Sequence, residues 1–456
     1  MSGLLDSLSI ATTGLTAART GLDVTGQNIA NVNTPGYARR TLALAELPPT
    51  DLPGAGSGVT VLQIQALRDL AIEGRIGHEQ AGQSHDSALL GGLTEVESAI
   101  GTPGSSLDAN ISALFDAFSQ LANDPTSASA RDSLVRQGQT LAQGFNALSA
   151  RIAELGRATD ASLKDSVGQL NALTATVADL NGQIAVGGAN MQALIDQRSA
   201  TISTISQLAD VSVLQRADGA VDLSLPNGQA LVVGANTYAI QTVSGPPSGF
   251  SSLTLSDIDI TSQLKGGRLG GLLQLRDTAL PGYQSGLDHL AYDIATQVNA
   301  VHSTGYDGTG TAAGNFFAPP ATVAGAAASL AVDPAVVANS QLVAASSTGA
   351  LGDNGTAQAL AGLRDTRVMS GGTQTASEAW SSLVYRVGSD VATASAANAT
   401  RGSVVRQLQR LRDQTSGVSL DEEAANLMKF QRAYEASARF FTTVNTTLDA
   451  LMVMVP

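Results

Sequence analysis

Apolar positions recur at alternating steps of four and three from the start of the chain: Leu4, Leu8, Ala11, Leu15, Ala18, Leu22, Thr25 and Ile29. This is the repeat of a coiled-coil seam, and it predicts a helix to about Ala30. The run Asn28-Ile29-Ala30-Asn31-Val32-Asn33 ends it, because asparagine tolerates the left-handed cap conformation. Thr34-Pro35-Gly36-Tyr37 follows as a turn, with proline fixing φ and glycine supplying positive φ. The far end of the chain has the same rhythm in Leu427, Phe430, Tyr434, Phe441, Val444, Leu448, Leu451 and Val455, with Ser437 in the remaining seam position. Ser419 and Glu422 have capping-box spacing, and Asp421, Glu422 and Glu423 suit the positive end of a helix dipole. A helix over 420–455 would be ~54 Å long at 1.5 Å per residue.

Between these rods most of the pattern is helical. Residues 86–122 carry helical spacing broken by Gly101-Thr102-Pro103-Gly104 and closed by Asp124-Pro125. Leu141, Phe145, Leu148, Ile152, Leu155, Leu163, Val167, Leu170, Val177 and Ile184 predict one very long helix over 128–186. Its interior glycines weaken it by up to ~1 kcal/mol each, so a bundle partner must stabilise it. The period changes to two over 211–243, with Asp218-Gly219 and Asn227-Gly228 as hairpin turns. This reads as an antiparallel meander, followed by the loop Gly245-Pro246-Pro247-Ser248-Gly249 and a last β-like piece at about 253–260. Helical spacing returns from Leu269 to Val301, and residues 303–355 read as loops with short strands. Thr375 and Glu378 open a further long helix to about Arg412 with a capping box.

The fold class that follows is mainly α with an inserted β domain. It is an elongated antiparallel helical bundle with terminal coiled-coil helices, its domains discontinuous and built from both chain halves. Residues 1–45 with 416–456 form a terminal helical assembly domain, and 46–205 with 265–415 form the long bundle. Residues 206–264 form the inserted β domain, expected at the far, outer tip, while the membership of 303–350 stays open. Neither terminal helix can bury its stripe alone, and even as a pair they would leave Phe440, Met452 and Met454 exposed, which favours assembly with neighbours.

Composition narrows the chemistry. Among 456 residues only 4 % are aromatic, which suits thin helical packing better than a wide core. A net charge of −14 without a Lys/Arg run excludes nucleic acid and disfavours an anionic membrane surface. No stretch of ~18 apolar residues occurs to span a membrane. The absence of cysteine removes disulfides, thiolate metal sites and thiol nucleophiles. Met-Ser-Gly-Leu-Leu-Asp lacks the basic and apolar regions of a Sec-type signal. His78, His85, His289 and His302 show no metal-ligand spacing and read as solvated or interfacial. Gly266-Gly267-Arg268-Leu269-Gly270-Gly271 lacks phosphate-loop spacing, and Gly305-Tyr306-Asp307-Gly308-Thr309-Gly310 lacks the acidic ligands of a calcium loop. No catalytic, cofactor or metal site is predicted, and the chain reads as a non-enzyme.

Gln27-Asn28-Ile29-Ala30-Asn31-Val32-Asn33-Thr34-Pro35-Gly36-Tyr37-Ala38-Arg39 resembles the Ala-Asn-x-x-Thr-Pro-Gly-Tyr segment of flagellar rod, hook and junction proteins. The stretch from Ser416 to Arg439 is similar to the matching end of that family. Segments at 194–198, 266–277 and 298–306 resemble its hook–filament junction members. The resemblance implies a structural role in a junction ring between hook and filament. It also implies export in unfolded form through the flagellar type III apparatus and an extracellular location. The implied partners are hook protein, a second junction protein, further copies of the chain, the filament cap, and an export chaperone on the C-terminal helix. The assembly residues would be Leu4, Leu8, Leu15, Leu22 and Ile29 against Leu427, Phe430, Tyr434, Phe441, Val444, Leu448 and Leu451. Asn31, Thr34, Pro35, Gly36 and Tyr37 would form the signature elbow. A hook or rod subunit, the second junction protein, an extracellular adhesin using the β island, and a displayed hydrolase are the competing readings; the last has no supporting constellation.

Overall fold

A computed structural model describes residues 2–34, 37–48, 57–101, 107–188, 190–245 and 249–454. Helix α1 (Ser2–Ala30) leads into a hairpin of β1 (Arg40–Glu46) and β2 (Val59–Ala66), which the apolar pattern did not predict. Its residues are nearly all half-buried or exposed, so alternation is too faint to mark it. The boundary expected at residue 45 therefore falls inside β1. Helices α2 (Leu70–Ile100) and α3 (Leu107–Asn123) come next, then α4 (Ala128–Val186), whose limits match the sequence reading. The expected break at Gly101-Thr102-Pro103-Gly104 lies mostly outside the described residues.

Helix α5 (Met191–Leu208) feeds two small antiparallel sheets rather than one meander. The first holds β3 (Ser212–Gln215), β4 (Val221–Ser224), β5 (Ala230–Val233) and β6 (Asn236–Thr237). The second holds β7 (Ile240–Ser244), β8 (Ser251–Leu255) and β9 (Ile258–Asp259). Positive φ at Gly219 and Gly228 confirms the two predicted turns, whereas 246–248 of the Pro-Pro loop lie outside the described residues. Asn171 and Asn181 of α4 tie the sheets to the helix: Asn171 exchanges bonds of 2.8 and 3.0 Å with the Ile240 backbone. Asn181 donates to the carbonyls of Val221 and Gly234.

Helices α6 (Gly267–Gln274) and α7 (Leu280–His302) are one rod interrupted by a π-helical turn at Leu275–Ala279. Pro281 is the cause: it has no N–H for an intrahelical bond, and its ring would crowd the carbonyl of residue 277. Widening the turn, with Leu280 N–H bonding Leu275 O, relieves that. The Gly-rich opening of α6 serves packing. A Cβ on Gly271 would sit 2.3 Å from His85 O, so only glycine permits this approach of α6 to α2.

Residues 303–375 contain α8 (Ala326–Ser329), α9 (Pro334–Ala338) and α10 (Gly355–Gly362), with isolated bridges in place of the short strands expected. The closing helices are α11 (Ala376–Ser416), with the predicted Thr375–Glu378 capping box, and α12 (Leu420–Met454). Glu422, however, does not close a box on Ser419 but pairs with Arg39 at 2.6 Å. Val455 lies outside the described residues.

Two cores lie along α4. Its N-terminal half packs with α2, α3, α7, α11 and the 303–369 segment, including fully buried Phe316 and Phe317. Its C-terminal half packs with α5, α6 and both sheets. Because α5 also meets the hairpin, through Gln192 to Ile64 O, the sheets lie toward the terminal helices. The far end of α4 is held instead by 303–369, through Arg131 to Val343 O and Asn146 to Ala327 O. The β island is thus not at the tip of the molecule. Its join to the bundle is Arg276 of the π turn, which bonds Asp160 at 2.6 Å and Ser251 O at 2.8 Å. Burial alone would raise the Asp160 carboxyl, but bonds from Ser251 N–H, Lys164 and Arg276 outweigh it and hold the value below the ordinary one.

His302 is fully buried, contrary to the solvated or interfacial reading. Its Nε2 accepts from Ala344 N–H, so Nδ1 carries the proton and donates to Gly314 O at 2.8 Å. Burial pushes its pKa below the ordinary 6.5, against a smaller upward pull from the Gly314 bond. A depressed folded-state value contributes stability that is complete above about 6.5 and lost as pH falls below it. Melting temperature should therefore drop between pH 6.5 and 5, and His302→Gln should shrink that drop; an unchanged pH profile would refute the assignment. Asp160→Asn should leave Arg276 with Asp277 as its remaining carboxylate partner and cost about 1–3 kcal/mol in urea unfolding. An unchanged midpoint would show that the ion pair does not join the two cores.

Candidate assembly interface

The terminal helices pair antiparallel, and the seam between them is made of small residues. A Cβ on Gly21 would lie 2.5 Å from the Phe430 ring, and one on Gly14 would lie 3.0 Å from the Ser437 hydroxyl. Asn28 bonds Glu423 at 3.1 Å. These three contacts recur every seven residues on both helices, the register of a coiled coil. Ala11, Ala18 and Thr25 are buried in the same face, and Val444 is buried on α12. Ala17 and Val24 are buried on the adjoining face, where Val59 N–H of the hairpin bonds Thr13 Oγ1.

The proposed assembly residues divide on this frame. Phe430 and Val444 point into the seam. Leu4, Leu8, Leu15, Leu22 and Ile29 are only half-buried, on a stripe about 80° round α1 from the glycine face, taking 3.6 residues per turn. On α12, Phe441 and Leu448 are half-buried, while Leu427, Tyr434 and Leu451 are exposed. Phe440 is 44 % and Met452 74 % exposed, and the Met454 side chain lies outside the described residues. The pair therefore closes through glycine and alanine and leaves a leucine-rich flank open.

The base of the rod is a buried polar joint. The Asn28 amide uses its full capacity: it donates to Arg40 O at 2.9 Å and to Glu423, and accepts from Arg40 N–H at 2.9 Å and Tyr37 Oη at 2.8 Å. Arg39 Nε bonds Glu423 at 2.7 Å, and its N–H bonds Ser416 O at the end of α11. Arg40 and Arg68 both grip Asp196 of α5, at 2.7 and 2.6 Å. Burial raises the Tyr37 phenol pKa, with Arg40 opposing and Asp196 and Glu423 adding to the rise. Tyr37 therefore stays a donor to Asn28, and Arg40 stacks 5.2 Å from its ring centroid.

Of the signature elbow, Tyr37 enters this joint, while Asn31 only bonds Gln27 O and Thr34. Pro35 and Gly36 lie outside the described residues. Sequence reasoning missed Asn28, Glu423 and Asp196 as parts of one network, since nothing in spacing links residues this far apart. It also missed Gly14 and Gly21, whose separation of seven was the available signal.

Three protein families match parts of the chain. "Flagellar hook-associated protein FlgK helical domain" covers residues 93–317. "Flagella basal body rod protein" covers 8–37, and "Flagellar basal body rod FlgEFG protein C-terminal" covers 412–453. Flagellar hook-associated protein 1 of Escherichia coli K12 is 28 % identical over 99 % of this chain and 100 % of its own. That of Bacillus subtilis is 27 % identical over 99 % of this chain and 98 % of its own. The flagellar hook junction protein FlgK of Burkholderia pseudomallei has a similar fold, with TM-score 0.68 and 19 % identity over 75 % of this chain and 100 % of that one.

The seam makes a sharp prediction. Gly21→Val should force Phe430 aside and destabilise the terminal pair by about 1–3 kcal/mol. Gly26→Ala, with nothing within 4 Å of its added Cβ, should stabilise the same helix by up to about 1 kcal/mol. Circular dichroism melts of both variants test the pair; a Gly21→Val protein as stable as the wild type would refute the seam.

Proposed function

The chain belongs to the family of flagellar hook-associated protein 1, and from that membership we propose that its copies form the junction ring between hook and filament. It is a structural axial component of the bacterial flagellum and associates there with other axial components. In the proposed ring, hook protein lies on one side and the second junction protein on the other. Copies contact each other through the terminal rods, and the filament cap covers them during assembly.

The observation that carries this reading is the division of labour on the rods. Each copy closes its own pair with Gly14, Gly21, Ala11 and Ala18, while Leu4, Leu8, Leu15, Leu22, Ile29, Leu427, Tyr434, Phe441, Leu448 and Leu451 stay wholly or partly in water. Covering a Leu fully contributes about 1.5–3 kcal/mol. Neighbouring copies that bury this flank thus supply stability the single rod lacks. The same dependence suits export in an unfolded state, with a chaperone covering the C-terminal helix before secretion, and delivery to an extracellular position at the hook tip.

Deleting residues 1–35 removes α1 and the elbow up to Pro35. The expected outcome is that the truncated chain appears as monomer in the medium with filament subunits unassembled. A deletion mutant that swims on normal filaments would overturn the proposal.

A further inference from the structure

At the foot of the body, beside the polar joint, α2 and α11 enclose a groove of about 400 Å³. Its floor is Val404, Leu408 and Leu411, and Arg75 and Arg410 stand on its rim. Leu411 is 42 % exposed, which leaves apolar surface uncovered. Neither arginine is among the ion pairs of the described residues, in a chain of net charge −14. An apolar floor with two open guanidinium groups fits a segment that offers one apolar side chain beside carboxylates.

The chain presents such a segment just past the end of α11. The first turn of α12 carries exposed Leu420 and Asp421, with Glu422 beside them on the Arg39 ion pair. It follows directly on the end of α11, whose Ser416 carbonyl is part of the joint. Groove and acidic turn therefore lie close together along the chain, on either side of the α11–α12 turn. Side-by-side copies, offset by the short distance between the two patches, can thus bring the turn of one to the groove of the next. Such a contact joins two different patches and repeats from copy to copy, the type of interface that closes rings.

We propose that the α2–α11 groove, through Arg75, Arg410 and Leu411, receives the first turn of α12, Leu420 to Glu422, from a second copy of this chain. The inference rests on the ring reading above. It assigns the ring a lateral contact outside the leucine flank of the rods, and this contact weakens with salt because its charges lie at the surface.

The chain has no cysteine, so single introduced thiols report without background. Arg410→Cys and Asp421→Cys variants, expressed together in one cell, can form a disulfide between them only across two copies. Flagella isolated after mild oxidation should yield a dimer that neither variant gives alone. Chain present in the flagella without that dimer would overturn the contact and leave the ring reading standing, whereas absence of the chain from flagella would overturn both. A charge exchange gives an independent readout. The double variant Arg75→Glu, Arg410→Glu should lose several-fold in flagellar retention, and adding Asp421→Arg should restore much of it. Loss without restoration would mean that the groove faces a different acidic partner and would overturn the second-copy assignment.

Discussion

The carboxylate of Glu423 is 1 % exposed, and the arrangement of both chain ends depends on it. A buried carboxylate is tolerated only when fully paired, and here Arg39 and Asn28 supply the pairing. Those two partners enter from different parts of the chain: α1 brings Asn28, and the segment just before β1 brings Arg39. Satisfying one charge therefore sets the register of α1 against α12 and fixes the start of the hairpin. It also places the Arg39 N–H against the last carbonyl of α11. The neighbouring Asp196 extends the constraint to α5 by holding Arg40 and Arg68. An apolar joint of equal area would hold the rod to the body without dictating an angle. Directional bonds converging on two carboxylates do dictate one, which a subunit needs if its rod and body must meet different neighbours at once.

The rod above the joint follows a different logic. Glycine and alanine in its seam let the two helices approach closely, and close approach removes little apolar area from water. A leucine seam would have made a more stable isolated pair. By placing the leucines on the flank, the chain leaves most of the available hydrophobic stabilisation to contacts between copies. Folding of the rod and assembly then draw on the same free energy, so neither is complete without the other.

The sequence made the long elements legible wherever one face was buried along their whole length. The limits of α4, the capping box of α11 and the turns at Gly219 and Gly228 follow from periodicity and local chemistry alone. The family assignment was legible too, because the Asn-to-Tyr segment and the α12 sequence carry it. What escaped has a common cause. The β1–β2 hairpin lacks a buried face, so its alternation carries no strong signal. The 303–369 segment folds around side chains of α7: Asn299 binds the backbone of Phe316 and Phe317, and His302 binds Gly314 and Ala344. Such structure is written in residues far off in sequence. The predicted seam holds at Ala11, Ala18 and Thr25 but puts Leu15, Leu22 and Ile29 where Gly14, Gly21 and Asn28 sit, for a related reason. Leucine marks apolar faces in a pattern, whereas a glycine at an interface is visible only through what packs against it.

The body shows why one helix of 59 residues is used where two shorter ones would bury as much. Each core alone could be closed by separate helices, but then the turn between them would be a hinge. A continuous α4 passes through both cores, and the antiparallel rod of α6 and α7 crosses the same boundary beside it. The one irregularity in that second rod, the π turn, falls where Arg276 reaches Asp160 and the start of β8. The widened turn therefore sits where the two helices are cross-linked, and the ion pair offsets the stiffness that Pro281 removes. The body is thereby braced across the boundary between its two cores.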